Sequence, residues 1–200
     1  MVKGENVQPI KANNVFKLKS NIYIFYFPKL NKIYKIKLFK EVTTPEKNMK
    51  KKEWANAVWF LFHTLAEKIK EEYCPAELSI LFSHVTSICN NLPCPDCQGH
   101  AMLVVNKADK RTVTASKENF KNFLWQFHNG VNQRIKLPYF SKQQLDDKYK
   151  MAKTSAIVQN FIQIMSRTAN NEKVMMHAFH RKLYIKTFID YMNDNFYKFV

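Results

Sequence analysis

Apolar residues recur at intervals of three and four positions through most of the chain after residue 53. The first such segment carries Trp54, Val58, Leu61, Leu65 and Ile69, a spacing that places them on one face of an amphipathic helix. Similar patterns predict helices over about 77–90, 94–106, 116–131, 149–168 and 172–199. The chain has only three glycines, whereas large barrels and dinucleotide- or phosphate-binding loops need glycine for close backbone approach. We therefore predict an all-α fold for this part of the chain.

The first 48 residues have a different composition, with aromatic and β-branched residues between lysines. The run Ile22–Phe27 favours a short strand, and a hairpin around residues 28–31 would pair it with a second strand. A poorly ordered leader is the alternative. We divide the chain into a basic, aromatic-rich leader (1–48), a central domain (49–149) and a helical C-terminal extension (150–200).

The chain is strongly basic, with a formal net charge of +16. Clustered positive charge favours binding to nucleic acid or to an anionic surface. Here 28 of the 32 basic residues are lysine, whereas base-reading and phosphate-binding sites favour arginine. The abundance of Lys, Asn, Ile, Phe and Tyr indicates the coding bias of an AT-rich genome, and we predict no specific nucleic-acid partner. No stretch reaches the roughly 20 apolar residues of a transmembrane segment, and no signal-peptide pattern is present, so we expect a soluble chain that is not secreted.

All four cysteines, Cys74, Cys89, Cys94 and Cys97, lie within one short stretch. The Cys94-Pro95-Asp96-Cys97 motif at a predicted helix start suits a redox-active disulfide, because the helix dipole favours the thiolate. Zinc is the alternative, with Cys89, Cys94, Cys97 and either Cys74 or His100 as four ligands. The spacing by itself leaves both interpretations open.

Two predicted helices each carry a tryptophan and a histidine about one turn apart, Trp59 with His63 and Trp125 with His128. A single histidine on an apolar helix face is more often a core residue than a ligand. Two such pairs together with a dithiol suit a flat aromatic cofactor, since rings can stack on it and a thiolate can reach its reactive atom. A flavin fits this description.

Three blocks of sequence occur in a recognisable order. The first is 59–66, with Trp and His one turn apart followed by Thr-Leu-Ala; the second is the Pro-Cys-Pro-Asp-Cys run of 93–97; the third is His-Asn-Gly-Val-Asn at 128–132, followed by Pro138, Phe140 and the pair Lys148-Tyr149. With these blocks, residues 54–149 resemble the Erv/ALR family of flavin-linked sulfhydryl oxidases. Within that family, the sequence most resembles the short members carried by large DNA viruses, including poxviruses.

The resemblance implies a four-helix bundle that holds FAD, and a thiol oxidase that passes electrons from protein thiols to oxygen and produces hydrogen peroxide. It makes Cys94 the thiol that faces the substrate and Cys97 the thiol against the flavin. No residue is assigned to a metal. The cofactor-binding residues that it implies are Trp54, Trp59, His63, Trp125, His128, Asn129, Val131, Asn132, Lys136, Lys148 and Tyr149.

The resemblance also implies partners and a location, and the sequence differs from the family pattern at some positions. The partners are thiol-containing proteins, with a thioredoxin-like carrier and a homodimer as options. The location is the host cytoplasm or virion for a viral protein, and otherwise the mitochondrial intermembrane space. No cysteine follows Cys97, so a family disulfide that braces the fourth helix is absent, and a lysine expected near the end of that helix is displaced to Lys136. Family members often relay electrons through a second cysteine pair, and Cys74 and Cys89 are the only candidates for it here. The interpretation that we favour is that both are buried free thiols. The rival function is a zinc-stabilised helical module whose basic surface contacts nucleic acid.

Overall fold

The structure is a computed structural model that describes residues 50–167 and 172–199, with side chains from residue 177 onward in the second range, and the backbone of four short strands in the leader. The chain divides into two compact units, residues 1–44 and 45–200.

The first unit contains an antiparallel sheet with strand order β1-β2-β3-β4. Its strands are β1 (Gln8–Pro9), β2 (Val15–Lys17), β3 (Ile22–Phe27) and β4 (Lys32–Lys37). β3 and β4 pair along their full lengths, from Ile22 with Lys37 to Phe27 with Lys32. The strands predicted for the leader are therefore present, and they flank the position of the predicted hairpin, whose turn residues 28–31 lie outside the described part of the chain.

The second unit is helical, as the apolar periodicity predicts. Its helices are α1 (Lys51–Lys68), α2 (Cys74–Asn90), α3 (Pro95–Lys107), α4 (Lys110–Val113), α5 (Lys117–Arg134), α6 (Lys142–Lys150), α7 (Thr154–Met165) and α8 (Glu172–Asn195), with 3-10 turns at Glu71–Tyr73 and Phe196–Phe199. No helix in the ranges given above is both long and apolar enough to cross a membrane.

Short polar side chains cap the N-termini of several of these helices. Ser116 accepts a hydrogen bond from the backbone N–H of Asn119 at the start of α5. Ser141 and Gln144 form a reciprocal capping box at the start of α6, which satisfies two N–H groups that would otherwise lack partners. The prediction of one helix over about 149–168 is wrong at its start, because α6 ends at Lys150 and a turn at 151–153 separates it from α7.

The core lies around α1, which packs against α5, α6 and α7. Leu61 of α1, Phe161 of α7 and Phe188 of α8 are completely buried, and burial of each such side chain contributes about 1.5–3 kcal/mol. The C-terminal helices thus contribute to the same hydrophobic core as the central helices. Their attachment is also polar, since Lys70 donates from Nζ to the carbonyl of Tyr197 and Arg167 pairs with Glu53 at the start of α1.

Candidate active site

Cys94 and Cys97 form a disulfide at the start of α3. Cys94 is the N-cap residue of this helix, and its Sγ accepts a hydrogen bond from the backbone N–H of Cys97 at 3.2 Å. Both cysteines are half-buried, so a thiol from another molecule has a route to them. A helix N-terminus and a donated N–H both favour the thiolate form of Cys94 when the disulfide opens. The arrangement is suited to thiol–disulfide exchange.

The other two cysteines are free and buried. Cys74 is the first residue of α2 and Cys89 lies near its end. Fifteen residues of helix span about 22 Å, far beyond the Cα separation of roughly 7 Å that a disulfide allows. Burial raises the pKa of Cys89 to about 12, and burial followed by the charge of Glu71 raises the pKa of Cys74. The two thiols therefore cannot form a relay pair with each other, and the favoured reading of buried free thiols describes them.

The zinc arrangement considered from the sequence does not form in this structure. Cys94 and Cys97 are bonded to each other, and Cys74 lies at the far end of α2 from them. His100, the alternative fourth ligand, is exposed on α3. Across the residues that the structure describes, no group of three or more potential metal ligands comes together.

Aromatic rings from α1 and α5 stack against each other. The ring of Trp59 lies flat on that of His128, with centroids 4.1 Å apart and an angle of 5° between planes. His63, one turn after Trp59, places its Nε2 3.0 Å from Nδ1 of His128. Trp59 and His63 are 4 positions apart in sequence, and His128 follows His63 by 65 positions. The packing of α1 on α5 brings the three residues together. The tertiary structure thus joins two of the three sequence blocks.

Both histidines of this cluster are held neutral. Burial, with smaller contributions from the charges of His128, Lys148 and Lys121, lowers the pKa of His63 to about 3. Burial and then the charge of Lys148 lower the pKa of His128 to about 4. Two neutral imidazoles joined by one hydrogen bond leave one ring to donate and the other to accept. The cluster therefore presents uncharged, flat ring faces at physiological pH.

The pair Lys148-Tyr149 of α6 lies over this cluster. The ring of Tyr149 is almost completely buried, with its centroid 5.0 Å from that of His63. The Lys148 ammonium lies 4.5 Å from the centroid of Phe60 and 5.5 Å from that of Phe140. α6 therefore adds a phenol and a cation to the rings of α1 and α5.

Polar side chains of α5 fix the segment that connects α5 to α6. Asn129 donates from Nδ2 to the carbonyl of Phe140 at 2.9 Å and accepts from the N–H of Phe140 at 2.8 Å. Trp125 donates to the same carbonyl at 2.8 Å, and Asn132 donates to the carbonyl of Pro138 at 3.2 Å. These predicted site residues thus hold the backbone of 138–140 against α5.

The remaining predicted cofactor residues are more dispersed. Trp54 is buried in the core near the start of α1, and Val131 is half-buried on α5. Lys136 is exposed just beyond the end of α5, where it adopts a positive φ of 58°. Its N–H bonds to the carbonyl of Gln133. The cluster proper is formed by Trp59, His63, His128 and Tyr149.

One ion-pair centre near the site was not predicted from the sequence. Lys121 of α5 pairs with Glu67 of α1 at 2.6 Å and with Asp146 of α6 at 2.8 Å. Its ammonium joins the three helices that carry the ring cluster. The three charges are far apart in sequence and follow no local pattern, so only the helix packing reveals this contact.

Two buried polar atoms of α1 have neither a hydrogen-bond nor an ion-pair partner within the described ranges, Nδ1 of His63 and Oγ1 of Thr64. A buried polar atom without a partner costs about 1–3 kcal/mol. A ligand with complementary donor or acceptor atoms would remove that cost. Together with the stacked rings, these atoms suit a flat aromatic ligand that also carries hydrogen-bonding groups.

The helical second unit and its site define a redox protein in which a half-buried disulfide accompanies a cluster of stacked aromatic rings. Residues 56–150, just under half of the chain, match the Erv1 / Alr family, the family that the resemblance predicted. No solved structure matches the chain significantly.

Two viral proteins are each similar to about half of the chain. A protein of Invertebrate iridescent virus 3, named as a FAD-linked sulfhydryl oxidase, is 29% identical over 100 residues, which cover 50% of this chain and 68% of the relative. A protein of Invertebrate iridescent virus 6 with the same kind of name is 26% identical over 102 residues, which cover 48% of this chain and 92% of the relative.

Proposed function

We propose that this chain is a FAD-dependent thiol oxidase that forms disulfides in other proteins. The observation that carries the proposal is the half-buried Cys94–Cys97 disulfide at the start of α3, in one helical unit with the Trp59–His128 ring stack. The family match and the names of the two viral relatives agree with this activity. No described contact favours the zinc-binding module.

The exchange step uses the disulfide directly. A substrate thiolate attacks Sγ of Cys94, the Cys94–Cys97 bond breaks, and Cys97 leaves as a thiolate. The second thiolate of the substrate then attacks the substrate sulfur that is bonded to Cys94 in the mixed disulfide. Cys94 leaves as a thiolate that accepts a hydrogen bond from the N–H of Cys97. The substrate gains a disulfide and its two electrons pass to the Cys94–Cys97 pair, while the two protons that the substrate thiols lose on ionisation go to solvent and are available to protonate the two cysteine thiolates.

The residues of the ring cluster fit FAD. Trp59 and His128 provide flat faces, His63 and Thr64 provide unpaired polar atoms, and Lys148 provides a positive charge for an anionic group. Tyr149, Asn129 and Asn132 complete the proposed set, with Lys136 as the proposed phosphate contact. When bound, FAD supplies the two-electron acceptor for the dithiol and passes the electrons to oxygen, which becomes hydrogen peroxide.

The thiol donors that we propose are proteins. A thioredoxin-like carrier suits the same disulfide, because exchange needs only an accessible dithiol in the partner. Since both relatives are viral proteins, we extend the proposal to a viral protein that acts in the host cytoplasm or the virion, where cellular reductants keep thiols reduced.

The test combines colour and turnover. The purified chain should show flavin absorption, and it should consume oxygen and release hydrogen peroxide when dithiothreitol is supplied. Cys94→Ser and Cys97→Ser should each abolish turnover and keep the flavin, whereas Cys89→Ala, which removes a buried thiol outside the motif, should keep turnover. Unchanged oxygen consumption in both serine variants would rule out the mechanism, and a colourless chain with bound zinc would support the rival function.

A further inference from the structure

The C-terminal helix α8 runs antiparallel to α2, and two hydrogen bonds define their alignment. The hydroxyl of Tyr191 donates to Glu77 at 2.8 Å, and the hydroxyl of Tyr184 lies 3.0 Å from Nδ1 of His84. From Glu77 to His84 the chain advances seven residues along α2, and from Tyr191 to Tyr184 it goes back seven along α8. Residues of α8 that precede Tyr184 therefore lie beside the part of α2 that leads to the disulfide.

Two large apolar side chains are exposed on this part of α8. Phe179 is 55% exposed and Leu183 is 51% exposed, and their spacing of four residues places them on one face of the helix. The opposite face carries the buried residues Ala178, Arg181 and Ile185. Phe179 lies about 7 Å before Tyr184 along α8. Because the two helices are antiparallel, it is level with a position on α2 about 7 Å past His84, towards the C-terminal end of α2. α2 ends at Asn90, four residues before Cys94.

The same segment is positively charged. Between His177 and Ile189 it contains Arg181, Lys182 and Lys186 and no acidic residue. Lys182 and Lys186 are exposed, and neither forms an ion pair with another residue in the part of the chain that has described side chains. A partner with carboxylates beside an apolar side chain complements this surface in both charge and polarity.

We propose that Phe179 and Leu183, with Lys182 and Lys186 beside them, form a docking surface for the cysteine-bearing segment of a protein substrate that carries an apolar side chain and acidic residues near its thiols. The proposal rests on the proposed function, since it is the exchange at Cys94 that brings a substrate to this end of the helices. A second copy of the chain complements the surface poorly, because each copy carries a net charge of +16 and like charges repel.

The test compares a large substrate with a small one. The probes are a reduced peptide with two cysteines, one leucine and three glutamates, the same peptide with lysines in place of the glutamates, and dithiothreitol. The double variant Phe179→Ser/Leu183→Ser should lower kcat/KM for the acidic peptide about tenfold, mainly through KM, and leave dithiothreitol oxidation unchanged. Lys182→Glu/Lys186→Glu should remove the preference for the acidic peptide. Met151→Ser is the matched control, because Met151 is 82% exposed and lies between α6 and α7.

A binding measurement separates this proposal from the proposed function. The acidic peptide with serine in place of both cysteines cannot exchange, and its affinity can be followed by fluorescence anisotropy. Affinity that falls in Phe179→Ser/Leu183→Ser while wild-type chain fails to oxidise dithiothreitol would keep the docking surface and reject the oxidase. Equal affinity and equal kcat/KM in wild type and variant would overturn the docking surface. Self-association that the variant abolishes would also overturn it, by making the surface a homodimer contact.

Discussion

The imidazole of His128 lies flat on the indole of Trp59, 4.1 Å between centroids, while its Nδ1 lies 3.0 Å from Nε2 of His63. The stack and the hydrogen bond orient His128 from two directions. Because burial lowers the pKa of both histidines well below their ordinary value of 6.5, the fold favours their neutral forms.

Acid should therefore destabilise the folded chain. Between about pH 6.5 and the folded pKa values of about 3 and about 4, the unfolded chain binds more protons than the folded one, so stability is full above this window and falls as the pH drops through it. From about pH 7 to about pH 5, each histidine should account for about 1–2 kcal/mol of lost unfolding free energy. Urea denaturation at both pH values should show a smaller loss for His63→Gln than for wild type. The exposed His100 supplies the control variant His100→Gln, and equal losses in all three proteins would contradict the prediction.

Removal of the Asn129 side chain should release the segment before α6. The variant Asn129→Ala leaves the N–H of Phe140 without its side-chain acceptor, while the Phe140 carbonyl keeps only Trp125 as a side-chain donor. We expect it to lower the unfolding free energy by about 1–3 kcal/mol. Asn129→Asp should also destabilise, because a carboxylate cannot donate to the Phe140 carbonyl. Gln126→Ala, at an exposed position of the same helix, should change stability by less than about 0.5 kcal/mol. Equal effects at 126 and 129 would show that the segment does not depend on Asn129.

Glycine at position 136 should stabilise the chain. Lys136 has a φ of 58°, a left-handed conformation that costs a residue with a Cβ roughly 1 kcal/mol. Lys136→Gly should raise the unfolding free energy of the flavin-free chain by about 0.5–1 kcal/mol in urea denaturation. Arg134→Gly, at the last residue of α5, should lower it instead. A loss of stability in Lys136→Gly would indicate that the lysine side chain makes a contact stronger than this relief. If flavin content falls while stability rises, that would support the proposed phosphate contact.

Loss of the Lys198 charge should strongly destabilise the attachment of the C-terminal extension. Lys198 pairs with Glu77 of α2, which is 4% exposed and also accepts from Tyr191. Lys198→Met leaves the carboxylate buried without its cation, and we expect a cost of about 3–5 kcal/mol in urea denaturation. The double variant Glu77→Leu/Lys198→Met should recover most of it, since no uncompensated charge remains. Lys107→Met, at an exposed position, should have little effect, and an equally small effect at 198 would refute the role of the pair.

Several local features could be predicted from the sequence. The apolar periodicity predicted α1, and the break at residues 90–93 predicted that a helix starts at the cysteine motif. The structure confirms this, since α3 begins at Pro95 with Cys94 as its cap. The start of α6 was missed although Ser141 and Gln144 form a recognisable capping box. The resemblance gave the family through three short blocks, and the family match covers the same region.

What the sequence by itself determined is the helical class of the described residues after residue 50 and the family match, because each depends on neighbours within a turn or on short motifs. The spacing of Cys94 and Cys97 left redox and zinc chemistry both open. Only the tertiary structure decided which rings stack on His128, that Lys121 joins three helices, and that α8 lies beside α2. These contacts join residues tens of positions apart, and their geometry follows from how whole helices pack, which no local pattern specifies.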